Sequence, residues 1–168
     1  MRIITLSRNF TLDEFRRSET AEKYNIENDP DYESLENLID LCMYLLQPLR
    51  DHLGTAITVT SGYRSPELNT KLRGSSTSQH LTGHAVDIVV PRMSNKDAAD
   101  YIRNNLIFDQ LIYEYPDDDT GEIDWIHVSY CQGNNRMESL IAEKKYHRKT
   151  YQTVYYPYTD DYFDKYNH

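Results

Sequence analysis

Residues 85–90 read Ala85-Val86-Asp87-Ile88-Val89-Val90, an apolar, β-branched run with one carboxylate inside it and Pro91 behind it. Such residues favour extended backbone, and proline cannot continue a ladder of strand hydrogen bonds, so the run predicts a strand halted at Pro91. Its apolar neighbours predict burial of Asp87 on one or both faces. A buried carboxylate is costly unless a cation or several donors face it. Asp87 therefore constrains both the fold and what lies beside it.

The rest of the chain supplies the other layers. Thr11-Leu12-Asp13-Glu14 reads as a capping box opening a short helix through Arg17, and Ser18 to Asp29 reads as a loop. Pro30 suits a first helical position. Leu35, Leu38, Ile39, Cys42, Leu45, Leu46 and Leu49 then recur at intervals of three and four, predicting a long amphipathic helix that ends near Gly54 and is kinked by Pro48. Ile57–Thr60 is a short β-rich run followed by the turn Ser61-Gly62-Tyr63-Arg64. Ser65 and Pro66 start a short helix, Gly74–Ser78 is a loop, and Ser94 caps a helix reaching about Asn105. Gln110–Tyr113 and Trp125–Ser129 are two further strands, split by the acidic turn Pro116–Glu122. Helices followed by close-set strands predict an α+β fold with a mainly antiparallel sheet, and 168 residues predict one domain spanning 1–168.

Charge narrows the partners. With 18 Lys+Arg against 27 Asp+Glu the formal net charge is −9, which argues against nucleic acid or an anionic membrane, since both demand basic patches. Cys42 and Cys131 have no CxxC spacing and set no disulfide framework, and Cys42 reads as a buried reduced thiol. Residues 1–8 are too short and polar for the apolar region of a signal peptide, and no stretch nears the roughly 18 apolar residues of a membrane span. The expectation is a soluble monomer, cytoplasmic as synthesised. Tyr146, Tyr151, Tyr155, Tyr156, Tyr158, Tyr162 and Tyr166 crowd the tail from 146 to 168. These rings read as a β-rich tail packed on the domain rather than a stacking platform.

Residues of metal-binding type gather in Ser78–Asp87 and in Asp124–Ser129. His80, Asp87 and His127 together make a set of two imidazoles and one carboxylate, which leaves tetrahedral Zn²⁺ one open position, as catalytic sites do. From spacing alone, hydrogen-bonded histidines and a metal site are both open readings. His80 and His84 lie four apart but lack the glutamate of HExxH, and Gly83 disfavours a helix there, so that pairing is rejected.

Ser78-x-His80-x-x-Gly83-x-Ala85-x-Asp87, followed by Asp124-x-x-His127, resembles the zinc D-Ala-D-Ala carboxypeptidase family of metallopeptidases, which has the DD-peptidase/hedgehog-like fold. Ser61-Gly62-Tyr63-Arg64-Ser65-Pro66, Leu68-Asn69, Asp109-Gln110-Leu111-Ile112 and Phe10–Phe15 extend the similarity to about residues 9–136. The resemblance implies that His80, Asp87 and His127 hold Zn²⁺ and that Asp124 is the general base. It also implies that Arg64 contacts substrate or the developing oxyanion, and that Ser78 contacts substrate. On a flat strand Asp124 and His127 would face opposite ways, so the strand is expected to bend or to begin after Asp124; Glu122 and Glu114 remain competing bases. The acidic turn is expected to border the zinc cleft.

The resemblance further implies a peptidase acting on stem peptides of bacterial peptidoglycan. It would act either as a carboxypeptidase releasing terminal D-Ala or as an endolysin-type endopeptidase, stored in the cytoplasm and released to the cell wall on lysis. A non-catalytic zinc-containing binding module of hedgehog-like fold is the reading from another class, because fold and zinc alone do not entail turnover.

Overall fold

A computed structural model describes residues 3–147 and 150–166, with the side chain of Lys165 left out. Thr5–Ser7 (β1) and Phe10–Thr11 (β2) pair as a small antiparallel ribbon. The expected capping box then opens Leu12–Arg16 (α1), where the Thr11 N–H donates to Glu14 Oε1 at 2.8 Å. The segment expected as a loop contains Glu19–Tyr24 (α2). Ser18 Oγ accepts the Ala21 N–H at its start, and Asn25 ends it with φ 54°, a left-handed cap that asparagine tolerates. Asp31 rather than Pro30 governs the next start, accepting the Ser34 N–H at 2.8 Å.

Tyr32–Leu41 (α3) runs through a π-helical turn, Cys42–Leu46, into Gln47–Leu53 (α4). The expected effect of Pro48 falls here. Proline offers no N–H to the carbonyl four residues back and crowds it. The turn before it widens, so that the Gln47 N–H reaches the Cys42 carbonyl five residues away. The apolar stripe stays in register: Leu38, Leu41, Cys42, Leu45, Leu46 and Leu49 are all fully buried. Each such leucine contributes roughly 2 kcal/mol by leaving water.

Thr58–Ser61 (β3) and Pro66–Lys71 (α5) lead to a 3₁₀ turn at Gln79–Thr82, followed by Ala85–Val89 (β4), Asn95–Asn105 (α6), Gln110–Pro116 (β5) and Ile123–Ser129 (β6). Glu138–His147 (β7) and Thr150–Pro157 (β8) complete a six-stranded sheet of order β3-β4-β6-β5-β7-β8. The fold is α+β, as expected, but the sheet is mixed. Its neighbours pair antiparallel except β5 and β7, which are parallel. The cause is local: β6 ends beside the start of β5, and residues 130–137 step past that one strand end, so β7 sets off in the direction of β5.

Alternation divides the sheet into two faces. Val86 and Ile88, Leu111 and Tyr113, Ile126 and Val128, and Ile141 share one apolar cluster with the leucines of the long helix. Asp87, Ile112, Glu114, Trp125, His127, Leu140 and Ala142 alternate with them and belong to the other face. No helix among the described residues is long and apolar enough to cross a membrane. The tail divides in two. Tyr158, Tyr162 and Tyr166 pack against the core beside Phe163, as expected, whereas Tyr146, Tyr151, Tyr155 and Tyr156 on the β7–β8 hairpin are exposed.

A candidate metal centre and its cleft

Asp87 and His127 are register partners on β4 and β6, so their side chains leave the sheet side by side. Asp87 Oδ1 lies 2.9 Å from His127 Nδ1. His80 comes from outside the sheet, on the 3₁₀ turn, and places Nε2 3.3 Å from His127 Nδ1 and 3.4 Å from Asp87 Oδ1. One donor atom from each of the three residues falls within 4.8 Å of the others, close enough to hold a single metal ion.

Two glycines explain how His80 gets there. Gly83 closes the turn with φ 73°, and a Cβ on it would stand 2.3 Å from the Ser34 carbonyl oxygen, so only glycine lets the turn rest on α3. A Cβ on Gly62 would stand 2.5 Å from the Phe15 carbonyl oxygen, and that close approach sets the Gly62 carbonyl where His80 Nδ1–H donates to it at 2.7 Å. With Nδ1 so occupied, Nε2 presents its lone pair to the cluster. Asp109 steadies the same turn. It is buried, accepts Gln79 Nε2 at 2.7 Å, and is clamped by Arg136 at 2.7 and 2.8 Å, which together with those bonds holds its carboxyl down at about 2.

The protonation states of the cluster favour metal binding. Burial lowers the His80 imidazole below its ordinary value. Burial would raise Asp87, but the two imidazoles beside it outweigh burial and hold the carboxyl well below the usual carboxylate range. Asp87 is thus held as a carboxylate and His80 toward the neutral imidazole, the forms in which these groups ligate metals. Arg64 stands behind it, with Nη2 2.8 Å from Asp87 Oδ2 and Nε 2.9 Å from Ser61 Oγ. Asp87 therefore divides its oxygens between the guanidinium and His127.

These residues line one end of a cleft of about 700 Å³. Arg64, Ser78, His80, Asp87 and His127 all line it, so five of the six residues singled out from the sequence meet there. Glu114 lines it too. It is two residues along β5 from Ile112, the register partner of His127, and so is a diagonal neighbour of His127 on the same face. Its side chain is buried, its Oε2 has no hydrogen-bond partner among the described residues, and burial pushes its carboxyl up to about 7.

Asp124 is placed elsewhere. β6 begins at Ile123, before Asp124, so the strand runs without a break through His127 and the two side chains alternate. The Asp124 carboxylate is more than half exposed, lies 3.8 Å from Lys144 Nζ, and does not line the cleft. Glu122 is committed to α6, where its oxygens accept from Ser94 Oγ and from the Asn95 and Lys96 N–H groups. Of the acidic cluster expected to border the centre, Glu114 alone lines the cleft. Sequence reasoning also passed over Tyr115, Trp125, Arg73 and Tyr155 as cleft residues; only alternation along β6, which puts Trp125 beside His127, offered a signal.

Two imidazoles and a carboxylate converging in an open cleft, with a spare carboxylate nearby, are the equipment of a hydrolytic metal enzyme. Comparison with known families makes the class specific. The Peptidase M15 model matches residues 8–129, and the chain belongs to that family, the zinc D-Ala-D-Ala carboxypeptidase-like metallopeptidases. No curated protein matches the chain.

Proposed function

We propose that the protein is a zinc peptidase that hydrolyses a peptide bond in bacterial peptidoglycan stem peptides, built on the DD-peptidase/hedgehog-like fold. The observation that carries the reading is Glu114, a buried carboxylate with a free oxygen, diagonal to His127 within the cleft. His80, Asp87 and His127 hold the zinc, and their donor chemistry suits it: two imidazoles and one carboxylate, with the far nitrogen of His80 anchored on a backbone carbonyl. When bound, zinc supplies Lewis-acid polarisation of the scissile carbonyl and a water acidified to a pKa of about 7.

Glu114 is the general base. It takes a proton from the attacking water as the new C–O bond forms, then returns it to the nitrogen as the C–N bond breaks, so the carboxylate is regenerated. Arg64 uses Nη2 and Nε to anchor Asp87 and Ser61, and its remaining N–H groups serve the substrate's carboxylate or the developing oxyanion. Ser78, at the mouth of the turn that bears His80, contacts the substrate. The acidic surface sets nucleic acid and anionic lipid aside as partners.

Digesting purified peptidoglycan with the zinc-loaded protein and identifying fragments by mass spectrometry tests the reading. Released D-Ala identifies a carboxypeptidase, and longer stem fragments identify an endopeptidase. Absence of fragments from every cell wall tried would convert the proposal to a zinc-containing binding module.

A further inference from the structure

The family match ends at residue 129, yet the cleft does not. The β7–β8 hairpin adds two strands to the sheet and carries Leu140 and Tyr155 into the cleft lining. Register places Trp125, Glu114, Ala142 and Tyr155 in one row across β6, β5, β7 and β8. Between Glu114 and Tyr155 in that row stands only Ala142, whose methyl is fully buried under its neighbours, so Tyr155 rather than Ala142 forms this part of the cleft wall. The Tyr155 hydroxyl has no hydrogen-bond partner among the described residues, although Tyr115, which also lines the cleft, finds one in Thr153. Tyr155 is half-exposed, and its partial burial pushes the phenol up to about 12, so it is a neutral donor at any working pH.

We infer that Tyr155 is a substrate-binding residue that sets specificity: its hydroxyl donates to a peptide carbonyl and its ring walls the cleft beside a substrate residue bound beyond Glu114, away from the scissile bond. The inference deepens the peptidase reading and rests on it. Three strand spacings separate β6 from β8, roughly 14 Å at about 4.8 Å each. A tyrosine ring reaches across about 6 Å of this, and an extended peptide covers about 3.3 Å per residue, so two or three residues bridge the rest. A dipeptide places its one peptide bond at the metal centre and so sends a single residue, about 3.3 Å, toward Tyr155, short of the two or three needed; Tyr155 therefore serves longer peptides.

The test compares a stem pentapeptide with D-Ala-D-Ala on wild type, Tyr155→Phe, Tyr155→Ala and the control Tyr156→Phe, whose side chain falls on the alternate face of β8. Tyr155→Phe is expected to lower kcat/KM about tenfold for the pentapeptide, the loss of one hydrogen bond, and to leave the dipeptide unchanged. Tyr155→Ala loses more, and Tyr156→Phe and the zinc content of every variant stay at wild-type values. Binding is read separately in the Glu114→Gln background from the fluorescence of Trp125, the chain's one tryptophan and a lining residue of the cleft. There Tyr155→Phe weakens the pentapeptide about tenfold. Wild-type rates and affinities in both Tyr155 variants, equal losses for both substrates, or no pentapeptide binding at all would overturn the inference. If the wild type binds the pentapeptide through Tyr155 but cleaves nothing, the peptidase reading fails and the subsite stands.

Discussion

Glu114 and Asp124 sit on neighbouring strands joined by one acidic turn, and they meet opposite environments. Glu114 is buried in the cleft with an unpaired oxygen and a carboxyl pushed up to about 7 by burial. Asp124 is solvated and faces Lys144, outside the cleft. Asp124 is nearer His127 along the chain, but Glu114 is its neighbour across the sheet. A carboxylate becomes useful as a base when burial withholds its other partners and raises its proton affinity toward working pH. The exposed Asp124 carboxylate beside Lys144 meets neither condition.

The largest effect should come from the ligands that both carboxylates depend on. His80→Ala removes an imidazole that is almost wholly buried, and elemental analysis is expected to show zinc lost together with all measurable hydrolysis. Zinc retained at wild-type stoichiometry would break the ligand assignment. Next comes Glu114→Gln, which keeps shape and burial but cannot accept a proton. It is expected to keep its zinc and lose roughly 10²–10⁴-fold in kcat. Comparable activity in that variant would return the base to Asp124.

The pH profile sharpens the same contrast. With Glu114 as the proposed base, kcat/KM should rise with pH to a plateau and fall about tenfold per unit below the Glu114 carboxyl's pKa, which bound zinc lowers from the value of about 7 in the metal-free cleft. The residual activity of Glu114→Gln should lack that limb. Stability runs the other way. A carboxyl whose folded pKa is raised from 4.5 to about 7 adds stability that is complete below its unfolded value and is lost as pH rises through the folded one. In the metal-free protein, Glu114→Gln is therefore expected to raise the melting temperature at pH 8 and to leave it unchanged at pH 4.

Local signals made much of this legible in the sequence. Caps on α1, α5 and α6, the leucine stripe, and the β-branched run around Asp87 each depend on residues close in the chain, and each is found where expected. The convergence of His80, Asp87 and His127 was legible because His80-x-x-Gly83 and the Asp87 strand are local patterns, even though His127 arrives from afar. α2 escaped because its polar composition hid the Ser18 cap and the Asn25 stop. Register escaped for a deeper reason. Which residue of β5 stands beside His127 depends on how the turn between the strands closes, and sequence spacing is silent on that. Glu114 and Tyr155 are both register facts, one on each side of the parallel β5–β7 pair.

The smallest predicted effect decides most finely between the two carboxylates. Asp124→Asn removes one exposed charge and a 3.8 Å contact with Lys144, a pair whose worth at the surface is below about 1 kcal/mol. The side chain alternates with Trp125 and His127 and does not line the cleft, although its charge reaches Tyr115, which does. Its kcat/KM is expected to stay within about twofold of wild type, a difference of about 0.4 kcal/mol in the barrier. The acid limb of the pH profile should persist, because Glu114 is intact. Combining Asp124→Asn with Glu114→Gln should reproduce the Glu114→Gln rate, since independent sites add and a silent one adds nothing. A large loss in Asp124→Asn alone, with zinc retained, would assign the base to Asp124 and leave Glu114 a buried neighbour of the metal centre.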